Sequence, residues 1–152
     1  MSNVQLIPFK VEHLQQFNMR DDEARWYNNP DVVTNQFAAL AANAVAGSLF
    51  VGDKLVAIIG WLPMWKGVVE VWSYPCTDIH HYGMIYLRTV RKQLDFIQRV
   101  IRPHRIQTHS QADPLHDRWM TWLGFKCEGT LKNYSCDKQD FRIWAVWAEQ
   151  QH

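Results

Sequence analysis

The chain has 152 residues, 47% of them hydrophobic and 20% charged. That is enough for one well-covered core, and the composition excludes long disorder and fibrous repeats. Sixteen Lys and Arg against 15 Asp and Glu leave a net charge of +1, without the basic excess that nucleic-acid binding calls for. Eight tryptophans within a 13% aromatic total are the unusual feature. They imply a core packed around rings or a pocket lined with them. Cys76, Cys127 and Cys136 are odd in number and lack a framework spacing, which fits free thiols in a reducing compartment. The first residues show no secretory signal, and no apolar run is long enough to span a membrane. The expectation is one soluble, cytoplasmic domain covering residues 1–152.

Val4 to Pro8 reads as a first strand, and Val11 to Phe17 as a turn or two of helix. Asp21-Asp22-Glu23 starts a helix with acidic side chains suited to the helix dipole. Asn28-Asn29-Pro30 interrupts it, and Asp31 to Asn43 resumes as an Ala-rich helix. The period then changes to that of strands. Gly47–Val51, Leu55–Leu62 and Val68–Tyr74 form an antiparallel meander, with turns at Gly52-Asp53 and Lys66-Gly67 and a stop at Pro63. A long helix starts near Gly83. Its apolar stripe is Leu87, Val90, Leu94, Ile97 and Ile101, and Pro103 ends it. Arg105–Gln111 is a strand. Asp113 caps a short helix from Pro114 to Leu123, which Gly124 ends. Phe125–Tyr134 and Phe141–Ala148 are two final strands. The fold class is α+β, with a mixed, mainly antiparallel sheet and a short parallel element at the crossover.

Several constellations have plain readings. Cys76, His80 and His81 are near in sequence but too few for a zinc site, so no metal is expected. A Cys76–His109 nucleophile pair can be drawn, but no spacing fixes its geometry. The cations Arg88, Arg91, Lys92, Arg99 and Arg102 read as the solvated side of the long helix. Trp119, Trp122 and Trp72 go with the core. Trp144 and Trp147 take opposite faces of the last strand. Trp26, Trp61 and Trp65 are the candidates for an exposed groove or partner surface.

The element order, together with the segment Trp119-Met120-Thr121-Trp122-Leu123-Gly124-Phe125-Lys126-Cys127-Glu128-Gly129-Thr130-Leu131, resembles the GNAT family of acyl-CoA N-acyltransferases. Within it, Arg118-Trp119 and the upstream Arg105-Ile106-Gln107 are similar to small GNAT-like proteins of tailed phages and prophages. The likeness spans most of residues 45–148 and extends to residues 1–44 by topology alone. The resemblance implies the GNAT-like acyl-CoA N-acyltransferase fold and transfer of an acetyl group from acetyl-CoA to an amine of unidentified chemistry. It implies pyrophosphate binding by His80, His81, Tyr82, Gly83, Met84 and Ile85, aided by Arg88, through backbone N–H groups at a helix start. It implies a pantetheine arm aligned along Ser73, Tyr74 and Cys76, with Pro75 lacking an N–H there. Glu70 takes the family's place for the base, and Tyr134 or Tyr74 is a candidate acid that the motif does not dictate. His80 and Ile85 depart from the family's Gln/Arg-x-x-Gly-x-Gly/Ala pattern, and Met120 stands where a tyrosine acid is frequent. The alternative reading is an inactive GNAT-fold phage protein. It would act in virion assembly or bind a host protein in the host cytoplasm.

Overall fold

A computed structural model describes residues 3–17, 45–77 and 79–148. The two helices expected over residues 21–43, and Trp26 with them, lie outside the described residues. In chain order the elements are β1 (Val4–Pro8), a 3-10 helix (Val11–Gln16), β2 (Val45–Val51), β3 (Lys54–Trp65), β4 (Val68–Pro75), a 3-10 turn (Ile79–His81) and α1 (Gly83–Phe96). A π-helical turn (Ile97–Ile101), β5 (Arg105–Gln111), α2 (Pro114–Trp122), β6 (Lys126–Leu131) and β7 (Phe141–Trp147) follow. The strands form one mixed sheet in the order β1-β2-β3-β4-β5-β7-β6. β1–β2, β2–β3, β5–β7 and β6–β7 pair antiparallel, and β4–β5 pair in parallel, the crossover that α1 carries.

The chain divides into two compact units, Met1–Leu62 with Trp72–Thr89, and Pro63–Val71 with Val90–His152. In the first, β3 is the core strand. Leu55 to Gly60 is buried without a break, as the near-continuous apolar run requires of a strand covered on both faces. Leu49, Val56 and Ile58 are fully enclosed. Gly60 is a close-approach glycine, because the indole of Trp72 lies where a Cβ would stand. The adjacent Ser48 is buried and bonded to His13 Nδ1 at 2.7 Å, which ties the first 3-10 helix to β2.

In the second unit, alternate residues of β5 divide between two faces. Ile106, Thr108 and Ser110 are buried. They share their face with Trp144, whose Nε1–H donates to Ser110 Oγ at 2.9 Å. Arg105, Gln107 and His109 take the opposite, half-exposed face. α2 begins as its sequence dictates. Asp113 Oδ1 accepts from the His116 N–H at 2.8 Å, Pro114 takes the first helical position, and Gly124 has φ +94° after the last turn. Arg91 lies 3.7 Å over the Trp122 ring and also donates to the Trp122 carbonyl.

Two details differ from the sequence expectation and one agrees with it. β3 continues through Pro63 to Trp65. Its pairing with β2 has ended at Trp61, so on that side Pro63 has no ladder position to spoil. The long helix becomes π-helical at Ile97, and Ile101 is 43% exposed. The added residue per turn shifts the stripe, so Ile101 leaves the buried face on which Leu94 and Ile97 remain. Trp144 is buried and Trp147 exposed, as opposite faces require.

Candidate functional site

The polar face of the second unit is built from β4 and β5. They pair in parallel over three positions, Val68↔Arg105, Val69↔Ile106 and Glu70↔Gln107. Past Glu70 the ladder stops, and the Thr108 hydroxyl instead donates to the Val71 carbonyl at 2.8 Å. Glu70 therefore stands at the end of the parallel register.

Its carboxylate is held from two sides. Gln107 Nε2 donates to Oε1 at 3.4 Å, and His109 Nδ1 lies 3.1 Å from the same oxygen. Both side chains of the Glu70–His109 pair are about a quarter exposed, at 26% each. The hydrogen bond from His109 is the main reason the Glu70 carboxyl is held below its ordinary value. Burial opposes that shift, while the charge of His109 and the Gln107 hydrogen bond add to it. The ring of His109 stacks on Tyr134 at 5.8 Å between centroids with an interplanar angle of 4°. Tyr134 leans in turn on Phe141 at 5.1 Å and is 53% exposed. The row of β5 side chains continues the other way. Arg105 Nε donates to Gln107 Oε1 at 2.9 Å, and its Nη atoms hold Glu128 at 3.1 and 2.5 Å. One row of alternate β5 residues thus organises two carboxylates and one imidazole on a single face.

Glu70 and Tyr134, the two catalytic candidates from the sequence, are joined here through His109. In the sequence His109 entered only as a partner for Cys76, which is buried in the first unit. The period-2 row Arg105-Gln107-His109 was a readable signal. It carried no meaning until the parallel register set Glu70 beside Gln107.

The other candidates lie in the first unit. β4 runs on to Ser73 and Tyr74, and the Ser73 hydroxyl bonds the Tyr86 hydroxyl. The Cys76 N–H is committed to the Val56 carbonyl at 2.8 Å, and Pro75 has none. The Trp72 Nε1–H is buried and has no hydrogen-bond partner among the described residues. His80 and His81 end the 3-10 turn with their rings 4.0 Å apart. Tyr86 N–H bonds the Tyr82 carbonyl at 2.9 Å, which makes Gly83, Met84 and Ile85 the first helical residues of α1. Their N–H groups are those a helix leaves for an anion. A Cβ on Gly83 would meet nothing within 4 Å, so that end is open. The Ile85 side chain is half-buried and Met84 is 48% exposed. Arg88 is exposed one turn on. Lys54, the first residue of β3, sits 5.8 Å above the Tyr82 ring and adds a cation that the sequence gave no reason to place there. Open backbone donors at a helix start and the two cations Lys54 and Arg88 are groups that attract an anion.

Among the described residues, no group of three or more His, Cys, Asp or Glu side chains could hold a metal ion, and no helix is long and apolar enough to cross a membrane.

A seven-stranded mixed sheet with flanking helices and one parallel crossover between β4 and β5 is the fold of the GNAT acetyltransferases. Among solved structures, the chain is similar to the GNAT-family acetyltransferase from Bacillus anthracis, with a TM-score of 0.75 at 16% identity, covering 97% of this chain and 96% of that one. It is similar also to a chimera of spermidine N-acetyltransferase SpeG from Vibrio cholerae and hSSAT, with a TM-score of 0.74 at 14% identity over 95% and 94% of the two chains. No protein-family model matches the chain, and no curated protein matches it by sequence.

Proposed function

We propose that this protein is an acetyl-CoA-dependent N-acetyltransferase of the GNAT type, acting on an amine. The observation that carries the reading is the Glu70–His109 pair at the point where the β4–β5 parallel register ends. A carboxylate paired with an imidazole gives the site a group able to take a proton from an ammonium, the step that amine acylation requires. The shared fold with acetyltransferases supports it. Ser73 and Tyr74 would align the pantetheine arm alongside Cys76. His80, His81, Tyr82, Gly83, Met84, Ile85 and Arg88, with Lys54, would hold the pyrophosphate. Tyr134 stacks on His109 and would line the acceptor side.

Acetyl-CoA consumption with a panel of amines tests the reading, with polyamines first because some neighbours are spermidine N-acetyltransferases. Chromatography should be used rather than a thiol reagent, because Cys127 and Cys136 are exposed. Amine-dependent formation of CoA and an acetylated product is the expected result. No turnover across the panel and no binding of acetyl-CoA would refute it.

A second reading rests on Ile85 and Met120, which stand where a small residue and a proton donor are usual. It is a GNAT-fold protein of a tailed phage or prophage, kept as a virion-assembly or host-interaction factor. Such a protein would leave acetyl-CoA intact and unbound.

A further inference from the structure

His109 is oriented as a triad histidine is. One ring nitrogen, Nδ1, faces a carboxylate oxygen at 3.1 Å, and one ring face lies parallel to Tyr134. No hydrogen bond to the second nitrogen, Nε2, is found among the described residues. Glu70 Oε1 also accepts from Gln107 Nε2, a group with protons to give and none to take. A carboxylate fixed between two donors selects the tautomer of the neutral imidazole. Nδ1 carries the hydrogen, and Nε2 presents its lone pair outward. The ring cannot rotate freely, since the stack on Tyr134 holds its plane and Phe141 supports Tyr134 from behind.

We propose that His109 Nε2, rather than Glu70, is the group that takes the proton from the acceptor amine, and that Glu70 is a positioning residue acting through His109. The inference rests on the acetyltransferase reading for its chemical step. The hydrogen-bonded pair stands apart from it. In that step an ammonium group gives one proton to Nε2, and the imidazolium formed is stabilised by the Glu70 carboxylate. The freed nitrogen lone pair forms a C–N bond to the thioester carbonyl. The tetrahedral intermediate then breaks the C–S bond, and the thiolate leaves with that electron pair. The second proton lost by nitrogen ends on the CoA sulfur, and His109 returns its own to water. One ammonium and one thioester thus give one amide, one thiol and one released proton. A Glu70 carboxyl held below its ordinary value is a poorer base than an unperturbed one, which agrees with a supporting role.

Two measurements on the full chain test this. The first is a long-range proton–nitrogen spectrum of the histidine rings on uniformly labelled protein, at a pH where the rings are neutral. His109→Gln assigns the signal. The expected wild-type pattern is the Nδ1–H tautomer, moving to the Nε2–H tautomer in Glu70→Ala. A wild-type Nε2–H pattern, or one that Glu70→Ala leaves unchanged, overturns the proposal. Thermal melts of each variant separate this from loss of fold. The second is steady-state kinetics. His109→Gln should lower kcat by about 100-fold or more with KM for acetyl-CoA unchanged, the scale of a lost general base. Glu70→Ala should cost less, and Glu70→Asp should restore part of the loss. A larger loss for Glu70→Ala than for His109→Gln overturns the assignment in favour of Glu70 as the base. If the wild-type chain shows the Nδ1–H tautomer but no turnover, the acetyltransferase reading fails and the catalytic step with it, while the positioning role of Glu70 stands.

Discussion

Gly60 offers a sharp test of how β3 and β4 are packed. A Cβ at this position would lie 2.2, 2.6 and 2.8 Å from three atoms of the Trp72 ring, where real Cβ contacts stay beyond 3.0 Å. Gly60→Ala therefore forces the indole to move. Gly60 is buried within the unbroken Leu55–Gly60 run, and Trp72 belongs to a strand of the same sheet. Overpacking of this kind costs about 1–3 kcal/mol, against about 0.4–1 kcal/mol returned by the lower entropy of an unfolded chain with Ala in place of Gly. The difference spans about 0–2.6 kcal/mol, and the 2.2 Å overlap places Gly60→Ala in its upper part, at about 1–2 kcal/mol or roughly 2–8 °C in Tm for a chain of this size. Urea unfolding followed by tryptophan fluorescence and circular dichroism measures it. In a Trp72→Phe background the indole atoms that clash are gone, so the same Gly60→Ala step should become neutral or stabilising. An equal loss in both backgrounds, or a wild-type-background loss under about 0.3 kcal/mol, would refute the close approach of ring to backbone.

Three further outcomes follow from the geometry. Asp113→Ala should cost about 1 kcal/mol in denaturant melts by removing the side-chain acceptor for the His116 N–H, while Asp113→Asn should recover most of it. Gly67→Ala should be destabilising in the same assay, since φ is +83° there and the new Cβ would fall 2.2 Å from the His104 ring. For Glu70, the folded carboxyl lies below its ordinary 4.5, so the pair stabilises the fold above that pH and loses the contribution as pH falls through the folded value. Glu70→Gln should therefore narrow its stability gap to wild type on the acid limb, and a gap constant from neutral to acid pH would contradict the pairing.

The strand and helix pattern was legible because it rests on local chemistry. Asp113-Pro114 and Gly124 bound α2 by capping and left-handed conformation. The apolar run of β3 announced a strand covered on both faces. Pro63 misled because its effect depends on whether a neighbouring strand reaches it, which is a tertiary fact. The apolar stripe was read one position too far, to Ile101, for a similar reason, as a π turn leaves no period in the sequence to count. The site was half legible. Glu70 stood out through its strand position, and Tyr134 through its place beside the last loop. His109 was hidden, since 37 residues separate Gln107 from Glu70 and only the parallel register brings their strands together. Lys54 was hidden likewise, since strands β3 and β4 and the 3-10 turn lie in sequence between it and the Tyr82 ring. Four of the tryptophans take distinct roles. Trp144 is core, Trp72 packs on Gly60, Trp122 stacks with Arg91, and Trp65 at 64% exposure is the most open of the large apolar residues described.

Calorimetric titration of the full chain with acetyl-CoA tests the central claim most directly. The account predicts saturable binding, weakened by Lys54→Ala and Arg88→Ala together and left intact by His109→Gln. An absence of binding heat and of any rise in Tm at millimolar acetyl-CoA would contradict it.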